Sequence, residues 1–541
     1  MFLMNIYSHI WNNIHEVQKL NKRLQLRKQF KKINNIKNSS ITNNLQNNLS
    51  NFKQIYSPNI NIGTVFRQFE LSFNNNIYEC FALYIEGLSD SESINDKILK
   101  PLMIKNYEFN NLSLIDAIEK RILLQSNISM QNSVEQIVLS VNMGNCALFI
   151  DTLDLCIICD VKKNEHRTIS NPLNEVTVKG QQSAFVESIR SNASLLRKVV
   201  NDENLILEKV EIGKRSNTLC LMGYIQNIAN PDIVNNVRNR LKNISIDYLI
   251  DSGQLEQLIE DHPLSMFPQT ISSERPDKIS SHLFEGRICI MVDNSPYILV
   301  VPCTFWDLFH APEDYNLRFQ QGTFIRIIRL VAYFCSIFLP GIYIAMTNYH
   351  VSLLPTDLLF SIAAIKESLP FPLLVEILVM ELSLELIREA GSRMPNSIGS
   401  SLGIVGAVLL GQATVDAHLV SPMLILIVAI TGISSFATPN YSLAFSFRIL
   451  RFAYILLAAL MGFLGILFGA ITHLVILCST YTYGIPYMIT FNKYNKQLFR
   501  DDVALAPNWL DNFRPPFLNP LDKKKAKHIA RQWKTNTKKG N

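Results

Sequence analysis

Charge is what this sequence is short of. Only 18% of its 541 residues are Asp, Glu, Lys or Arg, where average soluble domains carry roughly 25%. The shortage is concentrated late in the chain. No charged residue occurs in 330–356, 394–415, 417–447 or 452–492. A bilayer core takes about 20 apolar residues as helix. Runs of this length exclude a wholly soluble fold and predict a membrane domain behind a large soluble one.

Other absences narrow the class. No glycine loop has the spacing that cradles phosphate; Gly213 and Gly223 stand alone. His350, His418 and His473 are too dispersed to build a metal site or a nucleophile–base pair. The first ten residues lack the basic-then-apolar order of a signal peptide. The 9 cysteines follow no repeated spacing, and an odd count fits a reducing compartment. Cys156 and Cys159 form a C-x-x-C inside an apolar run. A strand there points them to opposite faces, as structural core residues. These absences predict no enzyme, no cofactor, no metal and no nucleic-acid partner.

The N-terminal half supplies ordinary folding signals. Residues 1–57 are rich in Asn and Lys and read as a flexible or basic helical arm, with helical spacing over 9–30. Two units of an α/β soluble domain follow, at 58–212 and 213–322. The first has a strand at 76–85, a helix at 113–126, a hairpin turning at 151–154 and a helix at 185–197. The second has a strand at 219–224, a helix at 231–243 opened by Pro231, a strand at 246–249, a short helix at 255–259, and two strands around Asp293-Asn294-Ser295. Basic clusters lie at 19–37 and 523–539 within a net charge of +6; they suit either an anionic lipid surface or a solvated tail.

Residues 323–492 read as a polytopic α-helical membrane domain, with 493–541 as a basic cytoplasmic tail. The apolar segments are 325–349, a broken second one from 353, then 398–415, 419–436 and 452–478. Pro340 and Gly341 predict a kink in the first. Pro370 and Pro372 break the second. Gly465 and Gly469 give the fifth a G-x-x-x-G packing face. Arg318, Arg326 and Arg329 before the first segment, and Lys493, Lys496 and Arg500 after the last, put both ends inside. That needs an even number of crossings, and Arg448 and Arg451 complicate the count.

The second segment carries the unusual chemistry. Glu376, Glu381, Glu385, Arg388 and Glu389 ride one otherwise apolar helix, and Glu381, Glu385 and Arg388 share a face. Charges facing lipid are expensive. The helix must therefore face protein or water, or lie broken or re-entrant at the interface. It either lines a cation path with carboxylates or braces the fold through a Glu385–Arg388 pair.

Longer motifs then narrow the field. "FVESIRSNASLLRK" begins at Phe185, "FPQTISSERPD" at Phe267, "EGRICIMVDNSPYILVVP" at Glu285 and "PEDY" at Pro312. In the membrane region "SIAAIKESLPFP" begins at Ser361, "MELSLELIREAGSRMP" at Met380, "IVGAVLLGQA" at Ile404 and "SFATPNYSLAFSFRILRF" at Ser435. In this order they resemble the A subunit of the spore germination receptors of endospore-forming bacteria, the GerA family. The chain departs from the family pattern at Lys179-Gly180-Gln181 and at Leu505. The resemblance implies a nutrient-responsive receptor subunit in the spore inner membrane, multi-pass, with cytoplasmic N-terminal domain and tail. It implies B-type transporter-like and C-type lipoprotein partners, and a homo-oligomer forming a ligand-gated ion channel. Glu376, Glu381, Glu385, Arg388 and Glu389 become pore or gate residues. A non-conducting scaffold and a secondary transporter are the alternatives; a transporter would show paired broken helices.

Overall fold

The computed structural model describes residues 23, 25–104, 113–163, 172, 174–177, 179–393, 411–489, 502–509 and 511–525. It opens with helices α1 (25–37) and α2 (Leu45–Tyr56). Ile33, Ile41, Leu45, Leu49, Phe52 and Ile55 are buried against Phe81, Phe149 and Ile158. From residue 25 on, the expected flexible arm is therefore a packed layer: its apolar residues recur at helical spacing within an Asn-rich background. The helix expected at 9–30 lies mostly outside the described residues.

The first sheet has strands β1 (Thr64–Phe73), β2 (Asn76–Ile85), β3 (Ile128–Gln131), β4 (Cys146–Ile150) and β5 (Cys156–Cys159), ordered β1-β2-β4-β5-β3. Asn74 and Asn75, both at positive φ, turn the β1–β2 hairpin, the backbone such two-residue turns require. One face packs on helical turns at 91–104 and 114–122; the other packs on α2 and on α3 (Val134–Asn142). Cys156 and Cys159 are buried on opposite faces, and burial pushes the Cys159 thiol up to about 12.

The second sheet begins earlier than the expected boundary at 212. It comprises β6 (Leu205–Ile212), β7 (Thr218–Ile225), β8 (Ile271–Ser273), β9 (Ile288–Val292) and β10 (Ile298–Val301), ordered β6-β7-β9-β10-β8. Helix α4 (Ile189–Val200) packs on it. Helices α5 (Pro231–Asn243) and α6 (Ser252–Ile259) cover one face, and α7 (Pro276–Glu285) joins α4 on the other. The expected strand at 246–249 is irregular chain held to the β6–β7 turn.

Every strand pair in both sheets is antiparallel. The α/β expectation is thereby corrected to α+β. Helices cover both faces, so ICIMV and ILVV read as continuous apolar runs, the pattern usual for parallel strands.

The longer described helices that follow are α8 (Phe319–Asn348), α9 (Thr356–Glu367), α10 (Leu373–Ser392), α11 (Pro422–Phe436), α12 (Tyr441–Met461) and α13 (Phe463–Ser479). Among the described residues, α8 and α12 are long and apolar enough to cross a membrane; α11 and α13 are apolar but shorter. The segment expected at 398–415 lies mostly outside the described residues. The fifth expected segment is not one helix. Gly462, at φ +58° and ψ −137°, turns the chain between α12 and α13. A Cβ on Gly465 would lie 2.1 Å from the Leu457 carbonyl oxygen, so only glycine lets α13 fold back. The uninterrupted apolar run hid this turn.

Sheet and helices share one core. Phe309 packs on Tyr333 and Tyr333 on Phe447, with centroids 5.7 and 4.7 Å apart. After α13, the hairpin β11 (Tyr481–Thr482) and β12 (Ile485–Pro486) re-enters the second soluble unit. Thr482 Oγ1 donates to the Cys303 carbonyl at 2.7 Å and Tyr487 OH to that of Pro268 at 2.8 Å. The tail packs there too: Leu518 is buried and Asn230 Nδ2 donates to its carbonyl at 3.2 Å. In the described residues 502–509 and 511–525, the expected basic tail thus packs as a strap on the rest of the protein.

Candidate functional site: a charged cluster among the helices

Helix α10 starts where Pro372 stops the preceding turn, and Pro370 and Pro372 separate it from α9. Its amphipathicity is inverted. Val375, Val379, Leu382 and Leu386, spaced one helical turn apart, are exposed, while Glu376 and Glu381 are buried. Leu373, Ile377 and Met380 join them in the interior.

The five ionisable residues fall into three environments. Glu376 sits at the first turn, where its Oε2 accepts from the Ser421 backbone N–H at 3.3 Å. Glu389 forms an exposed pair with Arg393 at 2.6 Å. Glu381, Glu385 and Arg388 come together, and two arginines of α12 join them. Arg451 Nη1 donates to Glu381 Oε2 at 2.5 Å, and Arg451 Nη2 to Glu385 Oε1 at 3.3 Å. Arg448 Nη1 reaches Glu385 Oε2 at 3.0 Å. Arg388 bonds Glu385 Oε1 at 3.0 Å and Ser435 Oγ of α11 at 2.8 Å. The aromatic faces of Phe436 and Phe445 cover Arg388 and Arg448, each 4.6 Å from a ring centroid. Arg451 and Glu381 are fully buried.

Sequence reasoning treated Arg448 and Arg451 as flanking charges. They are internal counter-charges instead, which removes them from the crossing count. The available signal was their spacing: an Arg-x-x-Arg, three residues apart in an apolar helix, puts both on one face, as the four-residue spacing does for Glu381 and Glu385.

The contacts fix relative directions. Gly341 lies against Tyr454 and Ala458, and Tyr333 against Phe447, so α8 and α12 run parallel. The Glu381–Arg451 and Glu385–Arg448 pairs make α10 antiparallel to α12. Ser421 and Ser435 meet Glu376 and Arg388, so α11 runs parallel to α10. Pro340 is buried inside α8, which continues through it, and Gly469 faces Tyr454 of α12.

Near the soluble unit the loop 265–268 enters the bundle. Ser446 Oγ donates to the Met266 carbonyl, and Phe267 stacks on His473 with centroids 5.3 Å apart. Arg329 grips Asp314 of the PEDY motif through contacts of 2.6 and 2.9 Å. Burial, then the charge of Arg326, holds His310 down at about 4. It is neutral at pH 7 and its Nε2–H donates to the Asp502 carbonyl at 3.1 Å.

The profile described as Bacillus/Clostridium GerA spore germination protein matches residues 43–517. The chain belongs to the GerA family. Spore germination protein KA of Bacillus subtilis (strain 168) is 38% identical over 441 residues, 82% of this chain and 81% of that protein. The uncharacterized membrane protein YfkQ of the same strain is 36% identical over 499 residues, 92% of this chain and 95% of that one. The crystal structure of the N-terminal domain of the A subunit of the Bacillus megaterium spore germinant receptor GerK3 is similar at 30% identity. It covers 49% of this chain and 98% of that chain, with a TM-score of 0.37. Membership in the GerA family makes the chain a germination receptor subunit and not an enzyme.

Proposed function

We propose that this chain is a multi-pass membrane subunit of a nutrient-responsive germination receptor, and that its copies assemble into a ligand-gated ion channel. The inverted amphipathicity of α10 carries the reading. Apolar side chains face outward while Glu376 and Glu381 face inward, the arrangement a helix adopts in lipid when its ionisable groups serve an internal path. The relative named a membrane protein, matched over 92% of this chain, supports the same solvent.

The directions of the described helices support a multi-pass arrangement with both ends on the soluble domain's side. α8 and α12 run away from that domain; α10, α11 and α13 run toward it. The arginines before α8 favour the cytoplasm for that side, in the spore inner membrane. B-type transporter-like and C-type lipoprotein subunits are the partners proposed from the family resemblance. The scaffold reading has an observation of its own: both central carboxylates are paired within one protomer.

Ion flux decides between them. Potassium release from vesicles holding the chain, alone and with partner subunits, should follow a mixture of the twenty amino acids and glucose. It should lose its cation preference on Glu381→Gln/Glu385→Gln. Absence of flux in every assembly would establish the scaffold.

A further inference from the structure

The central carboxylates of α10 are not free. Glu381 is bonded by Arg451, and Glu385 by Arg388, Arg448 and Arg451 together. Three guanidiniums face two carboxylates, so this part of α10 offers a passing cation no net negative charge. The cluster is also incompletely satisfied. Among the described residues, Glu381 Oε1, Arg451 Nε and Arg388 Nε are buried without hydrogen-bond partners. Buried polar atoms in native proteins are normally paired, and exceptions collect where a structure has to change.

Among the described residues, Arg451 is the one that bonds both carboxylates, and it reaches them from another helix. Arg388 belongs to α10 and moves with it. Arg448 reaches only Glu385, from the less buried side of the cluster, stacked on Phe445. We propose that Arg451, seconded by Arg448, is the clasp that holds the channel shut: it pins α10 to α12 and masks Glu381 and Glu385 until the two helices separate. These arginines are positioning residues, acting through the carboxylates. The inference rests on the channel reading above.

The test uses the complete receptor in potassium-loaded vesicles, with no nutrient added. Arg451→Gln should raise the resting potassium leak at least tenfold over wild type, and Arg448→Gln by less. The leak should prefer potassium to chloride. The triple variant Arg451→Gln/Glu381→Gln/Glu385→Gln should lose that preference, because the groups the clasp masks are gone. A purely structural Arg451 would give a leak of the same weak selectivity in single and triple variants, which overturns the proposal. So does a tight Arg451→Gln receptor that still responds to the amino-acid and glucose mixture; that result leaves the channel reading standing. Wild type silent to the mixture would overturn both. Arg451→Lys, which keeps the charge but cannot fork to two carboxylates, should leak to an intermediate degree.

Discussion

Two fully buried arginines, Arg287 in the soluble unit and Arg451 in the bundle, are held in opposite ways. Arg287 forks onto both oxygens of Asp307 at 2.7 Å and also donates to the Pro302 carbonyl at 2.7 Å. Asp307 accepts as well from the Thr304 N–H at 2.8 Å and from its hydroxyl at 2.5 Å. Burial would raise the Asp307 carboxyl, but the Arg287 guanidinium beside it holds it below its ordinary value. Arg451 divides its two terminal nitrogens between two carboxylates, and its Nε has no partner among the described residues. The first pair is over-determined and rivets the start of β9 to the loop after β10. The second is strong in charge but short of hydrogen bonds, so its partners can be exchanged.

The largest effect should come from breaking the rivet. Asp307→Ala leaves the buried Arg287 with only the longer Glu285 ion pair at 3.3 Å, at a cost of about 3 kcal/mol, read as an early unfolding transition of the soluble unit in denaturant. A variant that unfolds like wild type would erase the contrast between the two arginines.

The next test sharpens it. Either Glu381→Met or Arg451→Met alone should destabilise by several kcal/mol, on the order of other broken buried pairs. Both together should cost less than either alone, because an apolar pair replaces an imperfectly satisfied ionic one. The matching double change at Arg287 and Asp307 should show no such recovery, since the Pro302 carbonyl and the Thr304 N–H lose their partners. Thermal unfolding in one detergent compares these variants.

The smallest effect is a pH slope. Burial, helped by Glu256, holds the Glu260 carboxyl up at about 7. Its folded value exceeds the unfolded ~4.3, so the stability it contributes is complete below ~4.3 and lost as pH rises through about 7. Asp307 has the opposite sign: its contribution is present above ~3.9 and lost as pH falls further. Soluble-unit stability should therefore decline between pH ~5 and ~7.5. Glu260→Gln should flatten that decline and leave the acid limb. An unchanged slope would mean that Glu260 titrates as an ordinary surface carboxylate.

Legibility in the sequence followed locality. Helix α5 was readable to its ends because Asn230 caps it and Pro231 opens it. The fate of Cys156 and Cys159 followed from strand alternation. Strand β1 escaped because Arg67, Gln68 and Glu70 dilute its alternation, although Phe69, Leu71 and Phe73 are buried. The α12–α13 turn escaped because its decisive feature, a glycine at positive φ, looks like any other glycine in an apolar run. Within the candidate site, the shared face of Glu381, Glu385 and Arg388 was readable from helical spacing. Their principal partner was not, since Arg451 lies 70 residues from Glu381.

By itself the sequence determined that the chain has a soluble and an apolar part, and that one apolar helix carries carboxylates that cannot face lipid. Those conclusions need only the spacing of side chains along single elements and the cost of burying charge. Only the tertiary structure decided that Glu381 and Glu385 are already neutralised, by which arginines, and how incompletely. A buried charge finds its partner through the packing of whole helices, and the short-range pattern of a sequence does not contain that packing.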